Sequence, residues 1–176
     1  MTARVVFNRE GYFNTHSNAI AREAGYSPGT FYKHFNDKRE IFLAAYESWV
    51  RDEWEELRDE LPQHKSVKQL ASHLAHVVLD HHRSYAGFRA SLRALIVTDD
   101  KVRKFVLEQR AGQLEMLALL RGRRGLAKKT RGEDWALLLL MERVCDSIAS
   151  DEARELQVKE SELLRVLERA LEEHLQ

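Results

Sequence analysis

Three hydrogen-bond donors stand side by side in the stretch GYSPGTFYKHF, residues 25–35: the phenol of Tyr32, the ammonium of Lys33 and the imidazole of His34. All three groups can donate to phosphate oxygens or to the acceptor atoms of guanine. Gly29 has no side chain that would hold the backbone away from a ligand. These residue types in one short segment predict contact with DNA.

Two short helices must position these donors. Thr15 is the predicted N-cap of the first helix, which runs to about Ala24, and Gly25 supplies the positive φ that a tight turn needs. Ser27 then caps the second helix, with Pro28 at its first position. This is helix-turn-helix spacing, in which the second helix is presented to the major groove of DNA.

Apolar residues on the hidden sides of both helices predict the small core of this motif. Phe31 and Phe35, four residues apart, fasten the second helix and leave the three donors on its exposed side. Lys38, at the start of the next helix, adds a cation beside backbone N–H groups that favour phosphate. The remaining predicted core residues of the motif are Ile20, Ala21 and Ala24.

The composition favours an all-helical protein. The 176 residues contain only two prolines, and long stretches are rich in Ala, Leu, Glu and Arg. One cysteine, Cys145, excludes an intrachain disulfide and a cysteine-based zinc site. No apolar run approaches the ~18–20 residues of a membrane span, and the N-terminus lacks an apolar signal segment, so we expect no membrane partner and a cytoplasmic protein.

The helical pattern predicts two domains: a helix-turn-helix DNA-binding domain over residues 1–46 and a larger helical effector-binding and dimerisation domain over residues 47–176. Gly11 is expected to end the first helix and Pro62 the fourth. A basic loop is expected over residues 122–132. The predicted helices cover about residues 3–10, 15–24, 28–35, 38–61, 66–84, 86–97, 98–121, 133–150 and 157–175.

Charge is distributed unevenly although the net charge is zero. Residues 1–39 carry six Lys and Arg against three acidic residues, whereas residues 40–60 carry eight acidic residues against two Arg. The neutral total argues against a general polyanion binder, and the basic first segment agrees with local contact to DNA.

The segment FNREGYFNT…IAREAGYSPGTFYKHFNDKREIF, Phe7 to Phe42, resembles the N-terminal DNA-binding domain of TetR-family transcriptional regulators. The resemblance is ungapped. It implies a homodimer with a three-helix DNA-binding head and a helical body that holds a small molecule. In this family the last two helices usually form a four-helix dimer bundle, and ligand binding releases the operator.

The resemblance also implies which residues meet DNA. Thr15 corresponds to a phosphate contact, and Asn18 to an occasional base contact. The set expected at base edges is Pro28, Gly29, Thr30 and Lys33, and the set expected at phosphates is Tyr32, His34 and Lys38; Ser27 completes the predicted DNA-binding residues. The alternative for Tyr32 and His34 is that they only cover the small core.

Two features depart from the family pattern. Only ten residues precede Gly11, so the first helix is shorter than usual and the basic arm before it is missing. Ser17 stands where the family usually has an apolar residue. We expect either that the true start lies upstream or that the head binds DNA weakly.

The apolar pattern of the last two helices predicts a dimer interface. The stretch WALLLLMERVCDSIA, residues 135–149, is apolar around most of its circumference, and the final helix carries a leucine stripe. The alternative is the core of a monomer. The predicted interface residues are Trp135, Leu138, Leu139, Cys145, Leu163, Leu167 and Leu171.

Aromatic and methionine side chains of the middle helices are candidates for an effector pocket. A drug, lipid, acyl thioester or aromatic metabolite would fit such a lining, and plain core packing is the alternative. The candidates are Trp49, Trp54, Tyr85, Phe88, Leu92, Met116 and Met141.

Three functions therefore compete: a ligand-responsive repressor that binds a palindromic operator, a metal-responsive regulator, and a helical interaction protein whose head no longer binds DNA. The metal alternative uses His73 and His76, which share one helical stripe; we favour a polar or partly exposed stripe. The basic loop from Arg121 to Gly132 is expected to be solvated. We find no nucleophile–base pattern, so an enzyme and a cofactor are not expected.

Overall fold

A computed structural model describes residues 2–60, 66–123 and 125–176 of the chain. These residues form the predicted all-α structure, and no strand occurs among them. In chain order the helices are α1 (Thr2–Asn14), α2 (Ser17–Glu23), α3 (Pro28–His34), α4 (Lys38–Glu60), α5 (Val67–Ser84), α6 (Ala86–Thr98), α7 (Asp100–Arg123), α8 (Arg131–Ala149), α9 (Glu152–Glu155) and α10 (Glu160–Leu175).

Most predicted helices occur within a few residues of their expected bounds, but the start of the chain differs. Helix α1 does not end at Gly11: the backbone kinks there, with φ 74° and ψ 162°, and then forms one more turn to Asn14. Thr15 does not cap α2, because the N-cap is His16, whose side chain makes no capping hydrogen bond. Helix α9 was not predicted, and the expected stop at Pro62 lies outside the described residues.

The chain divides into two compact units. The first comprises Met1–Asp52 and Tyr85–Gln109, and the second comprises Glu53–Ser84 and Arg110–Gln176. The first unit therefore contains the helix-turn-helix segment together with α6 and the first part of α7. The domain boundary between residues 46 and 47 stays a prediction.

Aromatic rings form the core of the first unit. Phe42 stacks on Phe88 with ring centroids 4.5 Å apart, and Phe7 meets Phe42 edge-on at 5.0 Å. Trp49 lies against Phe88 at 6.3 Å. Because these rings come from α1, α4 and α6, they join the three helices through one buried cluster.

Helices α1 and α6 approach each other closely at Gly87. A Cβ atom at this position would lie 2.1 Å from the backbone oxygen of Asn8. Two hydrogen bonds accompany the crossing: the Phe88 N–H donates to Asn8 Oδ1 at 3.1 Å, and the Tyr12 N–H donates to Ser91 Oγ at 2.9 Å. Gly87 thus permits a backbone contact that any side chain would block.

The second unit is built around α5, α8 and α10, which pack on one another. Its core also contains polar pairs: His82 Nδ1 lies 2.9 Å from Asp146 Oδ1, and both side chains are buried. Helix α8 begins with a capping box in which Thr130 and Glu133 satisfy each other's backbone N–H groups. The buried apolar residues of one core cluster in this unit are Leu70, Ala71, Ala75, Val78, Leu79, Leu137, Cys145, Ile148, Leu167, Leu171 and Leu175.

Candidate nucleic-acid interface

The turn between α2 and α3 has the geometry predicted from its glycine. Gly25 has φ +79°, and its N–H donates to Arg22 O at 3.0 Å. The Tyr26 N–H donates to Ala21 O at 2.9 Å. Together these two bonds form a Schellman motif, which ends α2 and sets the direction in which the chain enters α3.

Ser27 and Pro28 begin α3 as predicted. Ser27 Oγ accepts from the Thr30 N–H at 3.2 Å and lies 3.0 Å from Thr30 Oγ1. Pro28 occupies the first helical turn, where its missing N–H removes no helical hydrogen bond. The Ser27 hydroxyl is therefore engaged in capping, although the residue is exposed.

Helix α3 has one buried anchor and an exposed row of donors. Phe31 is 5% exposed, whereas Tyr32 is 56% exposed. Lys33 and His34 are also exposed. We call this set, Tyr32, Lys33 and His34, the donor row of α3.

The other residues expected to contact DNA differ in how exposed they are. Asn18, Pro28 and Gly29 are exposed, and Thr30 is half-buried. Thr30 and His34 also line a cavity of about 460 Å³ together with Phe31, Phe35 and residues of α1, α2 and α4. His34 therefore has one side toward the interior of the first unit and one toward solvent, so it partly covers the core.

The Thr15 side chain is not available to a phosphate, which corrects the prediction made for it. Its exposed fraction is 0%, and its hydroxyl donates to Gly11 O at 2.6 Å. The reason is the kink in α1 at Gly11. Because the regular helix is interrupted there, the Thr15 hydroxyl bonds back to the Gly11 carbonyl.

Lys38 also differs from its predicted role. Its ammonium donates to Tyr12 O at 2.7 Å and to Thr15 O at 2.8 Å, and it lies 4.2 Å from the centre of the Tyr12 ring. Burial lowers the pKa of Lys38. The ammonium therefore fastens the end of α1 to the start of α4, and its donors are directed at the protein rather than at a phosphate.

Other exposed side chains with hydrogen-bonding groups lie at the motif and were not predicted as contacts, among them His16 and Tyr26. His16 is the N-cap residue of α2, and Tyr26, at the turn, is 61% exposed. Their residue types are the same as those of the donor row. Their positions, directly before α2 and before the α3 cap, make them further candidates for contact with DNA.

The predicted effector residues lie in different places. Trp54 and Met141 line an apolar cavity in the second unit. Trp49, Phe88 and Leu92 are buried in the first unit. Tyr85 lies beside Trp49, 5.9 Å between ring centroids, and Met116 is half-buried on α7.

The residues predicted at the dimer interface also differ in how deeply they are buried. Cys145, Leu167 and Leu171 are at most 3% exposed and pack inside the second unit of the same chain, which corrects their assignment to a partner surface. Trp135, Leu138 and Leu163 are half-buried. Leu139 is exposed.

The histidine stripe and the basic loop give little support to a second site. His76 is exposed, with Nδ1 2.8 Å from Ser72 O, and His73 is half-buried. Among the described residues, no group of three or more His, Cys, Asp or Glu side chains could hold a metal ion. Arg121 is buried on α7, so it does not belong to a solvated loop as predicted.

Helices long and apolar enough to cross a membrane do not occur in the described part of the chain.

Comparison with known proteins supports the helix-turn-helix assignment. Residues 2–45 match the model of the family described as bacterial regulatory proteins, tetR family. No curated protein matches the sequence significantly.

Solved structures share the fold over nearly the whole chain. A protein from Rhodococcus sp., assigned to the TetR-family transcriptional regulators, is 16% identical, with a TM-score of 0.77 over 99% of this chain and 95% of that one. A protein from Saccharomonospora viridis, assigned as a transcriptional regulator and solved with choline, is 17% identical, with a TM-score of 0.72 over 97% and 92%.

A third structure is FadR from Thermus thermophilus, a TetR-family transcriptional repressor solved with lauroyl-CoA. It is 22% identical, with a TM-score of 0.65 over 97% of this chain and 89% of that one. The match over residues 2–45 confirms the resemblance seen in the sequence: the N-terminal segment matches the family described as bacterial regulatory proteins, tetR family, and the whole chain shares its fold with the solved structures above.

Proposed function

We propose that the protein is a homodimeric transcriptional repressor that binds a palindromic DNA operator and is released from it by a small apolar molecule. The donor row of α3 carries this proposal. The Schellman turn at Gly25 and the Ser27 cap hold the row on a short helix whose opposite side is anchored by Phe31.

Different side chains of α3 suit different parts of a duplex. Gly29 and Lys33 are exposed on the helix that would enter the major groove, where Lys33 can bind the acceptor atoms of guanine. Tyr32 and His34 are expected to donate to phosphate oxygens, which position a protein without reading sequence. Two such heads related by a two-fold axis would require an inverted repeat.

For the dimer we propose a surface that keeps Leu163 from the set predicted from sequence and otherwise consists of other residues. Four apolar residues, Leu140, Val144, Leu163 and Ala170, are only half-buried against the core of the second unit. Val166, on the same helix as Leu163, is 39% exposed. We call this set the partner face, because a second copy would complete its burial.

For the effector we propose the apolar cavity of the second unit. Its lining comes from α4, α5, α7, α8 and α10 and includes the two predicted residues Trp54 and Met141. Similar structures were solved with choline and with lauroyl-CoA, so this fold accommodates small molecules in other proteins.

The test begins with selection of bound duplexes from a random DNA pool. We expect enrichment of an inverted repeat, and an affinity for it that falls steeply with salt. The substitution Lys33→Ala should lower the preference for the selected bases by about 1–3 kcal/mol. Lys68→Ala removes an exposed lysine of α5 and serves as the matched control, with no change expected.

Two results would count against the proposal. Equal loss of affinity on every duplex for Lys33→Ala would assign that lysine to the phosphates and not to the bases. A folded dimer that enriches no sequence would favour the alternative of a helical interaction protein.

A further inference from the structure

The cavity of the second unit has a wall that is apolar throughout. Leu74 and Val78 of α5 and Leu137 of α8 belong to this wall, and so do the predicted effector residues Trp54 and Met141. The surface that the described residues present to the cavity contains no polar part. A molecule inside the cavity therefore meets carbon atoms and a thioether sulfur, and its own polar groups would find no hydrogen-bonding partner there.

Two basic residues, Arg121 and His174, also line the cavity, but their polar atoms are directed elsewhere. Both belong to a buried cluster with Asp134, which we call the Arg–Asp–His cluster; its three side chains are at most 9% exposed. Arg121 Nη2 and His174 Nε2 both bond to Asp134 Oδ1, the latter at 2.7 Å, and Arg121 Nη1 lies 3.3 Å from His174 Nε2. Asp134 does not line the cavity, so the two basic residues face it with their carbon atoms.

The chemistry of the wall sets a condition on any ligand. The Arg121 guanidinium has its counter-ion, Asp134, inside the cluster. An ion in the cavity would be buried without a counter-ion, and a hydroxyl or amine would lose its hydrogen bonds to water without replacing them. Only a group without charge and without hydrogen-bonding atoms avoids these losses.

The volume of the cavity sets a second condition. It is about 80 Å³. Since about 10–15 Å³ of such space holds one water-sized group, the cavity has room for about six heavy atoms. Its wall comes from α4, α5, α7, α8 and α10, which pack around it, and overfilling a packed core forces side chains out of their preferred conformations. A larger molecule should therefore bind less well even if it is more hydrophobic.

We propose that this cavity selects a small uncharged hydrocarbon of about six heavy atoms, and that Arg121 and His174 serve only as its end wall. The inference rests on the proposed effector site and names the chemical class of its ligand. An arginine and a histidine beside a cavity would by residue type suggest a site for an anion. Their bonds to Asp134 assign them instead to the joining of α7, α8 and α10.

Calorimetric titration of the full chain tests both conditions. The probes are benzene, pyridine and naphthalene. Pyridine has the shape of benzene but carries a nitrogen acceptor, which would find no donor, so we expect benzene to bind about tenfold or more tightly than pyridine. Naphthalene exceeds the available room, and we expect it to bind about tenfold or more weakly than benzene.

A variant that enlarges the cavity should change the size limit. Leu74→Ala removes three carbon atoms from a half-buried wall residue, so naphthalene should then bind more tightly than benzene. Leu74→Val is the milder variant and should extend the limit only to toluene. Leu156→Ala shortens a side chain that is 69% exposed and outside the cavity, and it should leave the order of the probes unchanged. Loss of stability alone would not reverse this order.

Three outcomes would overturn the inference. Pyridine that binds as tightly as benzene would mean that a donor of Arg121 or His174 reaches the ligand. Naphthalene that binds as tightly as benzene to the parent protein would mean that the cavity takes only part of a larger molecule. Benzene that does not bind at all would refute the site.

DNA selection on the same preparation separates these failures from failure of the regulator proposal. Selection of an operator without binding of benzene would refute this inference and leave the regulator in place. Binding of benzene without selection of any DNA would refute the regulator and leave the hydrocarbon site in place.

Discussion

Lys33 and Lys38 lie five positions apart, yet their surroundings give them different roles. The Lys33 side chain is exposed on α3, whereas the Lys38 ammonium is bonded to two backbone oxygens at the end of α1. A lysine whose donors are already engaged has little to offer a phosphate. Local residue type therefore predicts the chemistry of a side chain, and packing decides where that chemistry is directed.

Replacing Lys38 should affect folding more than DNA recognition. Lys38→Met removes both hydrogen bonds to Tyr12 O and Thr15 O, and we expect the free energy of unfolding to fall by about 1.5–3 kcal/mol, the range for bonds to charged groups. Urea unfolding followed by circular dichroism measures this loss. Lys33→Met is the matched control and should change stability by less than about 0.5 kcal/mol.

A loss of DNA binding without a loss of stability in Lys38→Met would instead support the phosphate contact predicted for Lys38 from the sequence. If Lys38→Met unfolds like the parent protein but lowers the salt dependence of DNA binding by about one counter-ion, Lys38 contacts a phosphate.

At the scale of elements, the crossing of α1 and α6 is the most constrained contact of the first unit. Gly87→Ala would place a Cβ atom 2.1 Å from Asn8 O, so the two helices would have to separate. We expect a loss of about 1–3 kcal/mol in the free energy of unfolding, as for other overpacked sites. Because α1 supports the helix-turn-helix, operator affinity should fall as well.

Gly112 provides a matched control for this prediction. It lies inside α7, and an added Cβ would meet nothing within 4 Å. Gly112→Ala should stabilise the protein by roughly 0.5–1 kcal/mol through helix propensity. Equal effects of the two substitutions in thermal unfolding would mean that the α1–α6 contact leaves room for a side chain at position 87.

The parts of the site that depend only on neighbouring residues could be predicted from the sequence. Gly25 at the turn and Ser27 at the cap follow from backbone conformation and side-chain hydrogen bonding within four residues. Thr15 was mispredicted because a hydroxyl near a helix boundary can cap forward or bond backward. Because the backbone kinks at Gly11, the Thr15 hydroxyl donates to the Gly11 carbonyl instead of capping α2.

At the scale of the whole molecule, burial could not be predicted from periodicity alone. The apolar residues of α8 and α10 occupy several faces, and the sequence does not state which face meets α5. Cys145, Leu167 and Leu171 turn inward, so the candidates for contact with a second copy are their half-buried neighbours. The all-α class and the helix order were predictable because they depend on composition and on breaks in the pattern.

A charge on the partner face should dissociate the proposed dimer. Val166→Glu would bury a carboxylate in an apolar contact, and we expect the dimer dissociation constant to rise about 100-fold or more. Analytical ultracentrifugation measures this change. Leu156→Glu alters a residue that is 69% exposed on its own chain and outside the partner face, and it should leave the dimer intact.

An unchanged dimer in Val166→Glu would place the interface elsewhere. If the variant is instead monomeric and folded, its affinity for the full inverted repeat should fall to that for a single half-site, because one head is then lost from each complex.

The burial of Cys145 makes the second unit chemically observable. It is the one cysteine of the sequence, and its side chain is fully buried among α5, α8 and α10. A thiol reagent can reach it only when that core opens, so the rate of labelling under native conditions reports how often opening occurs. Because there is one thiol, labelling gives a single product. Any molecule that makes opening of this core rarer will slow the labelling, so its binding can be followed without an added dye or a mutation.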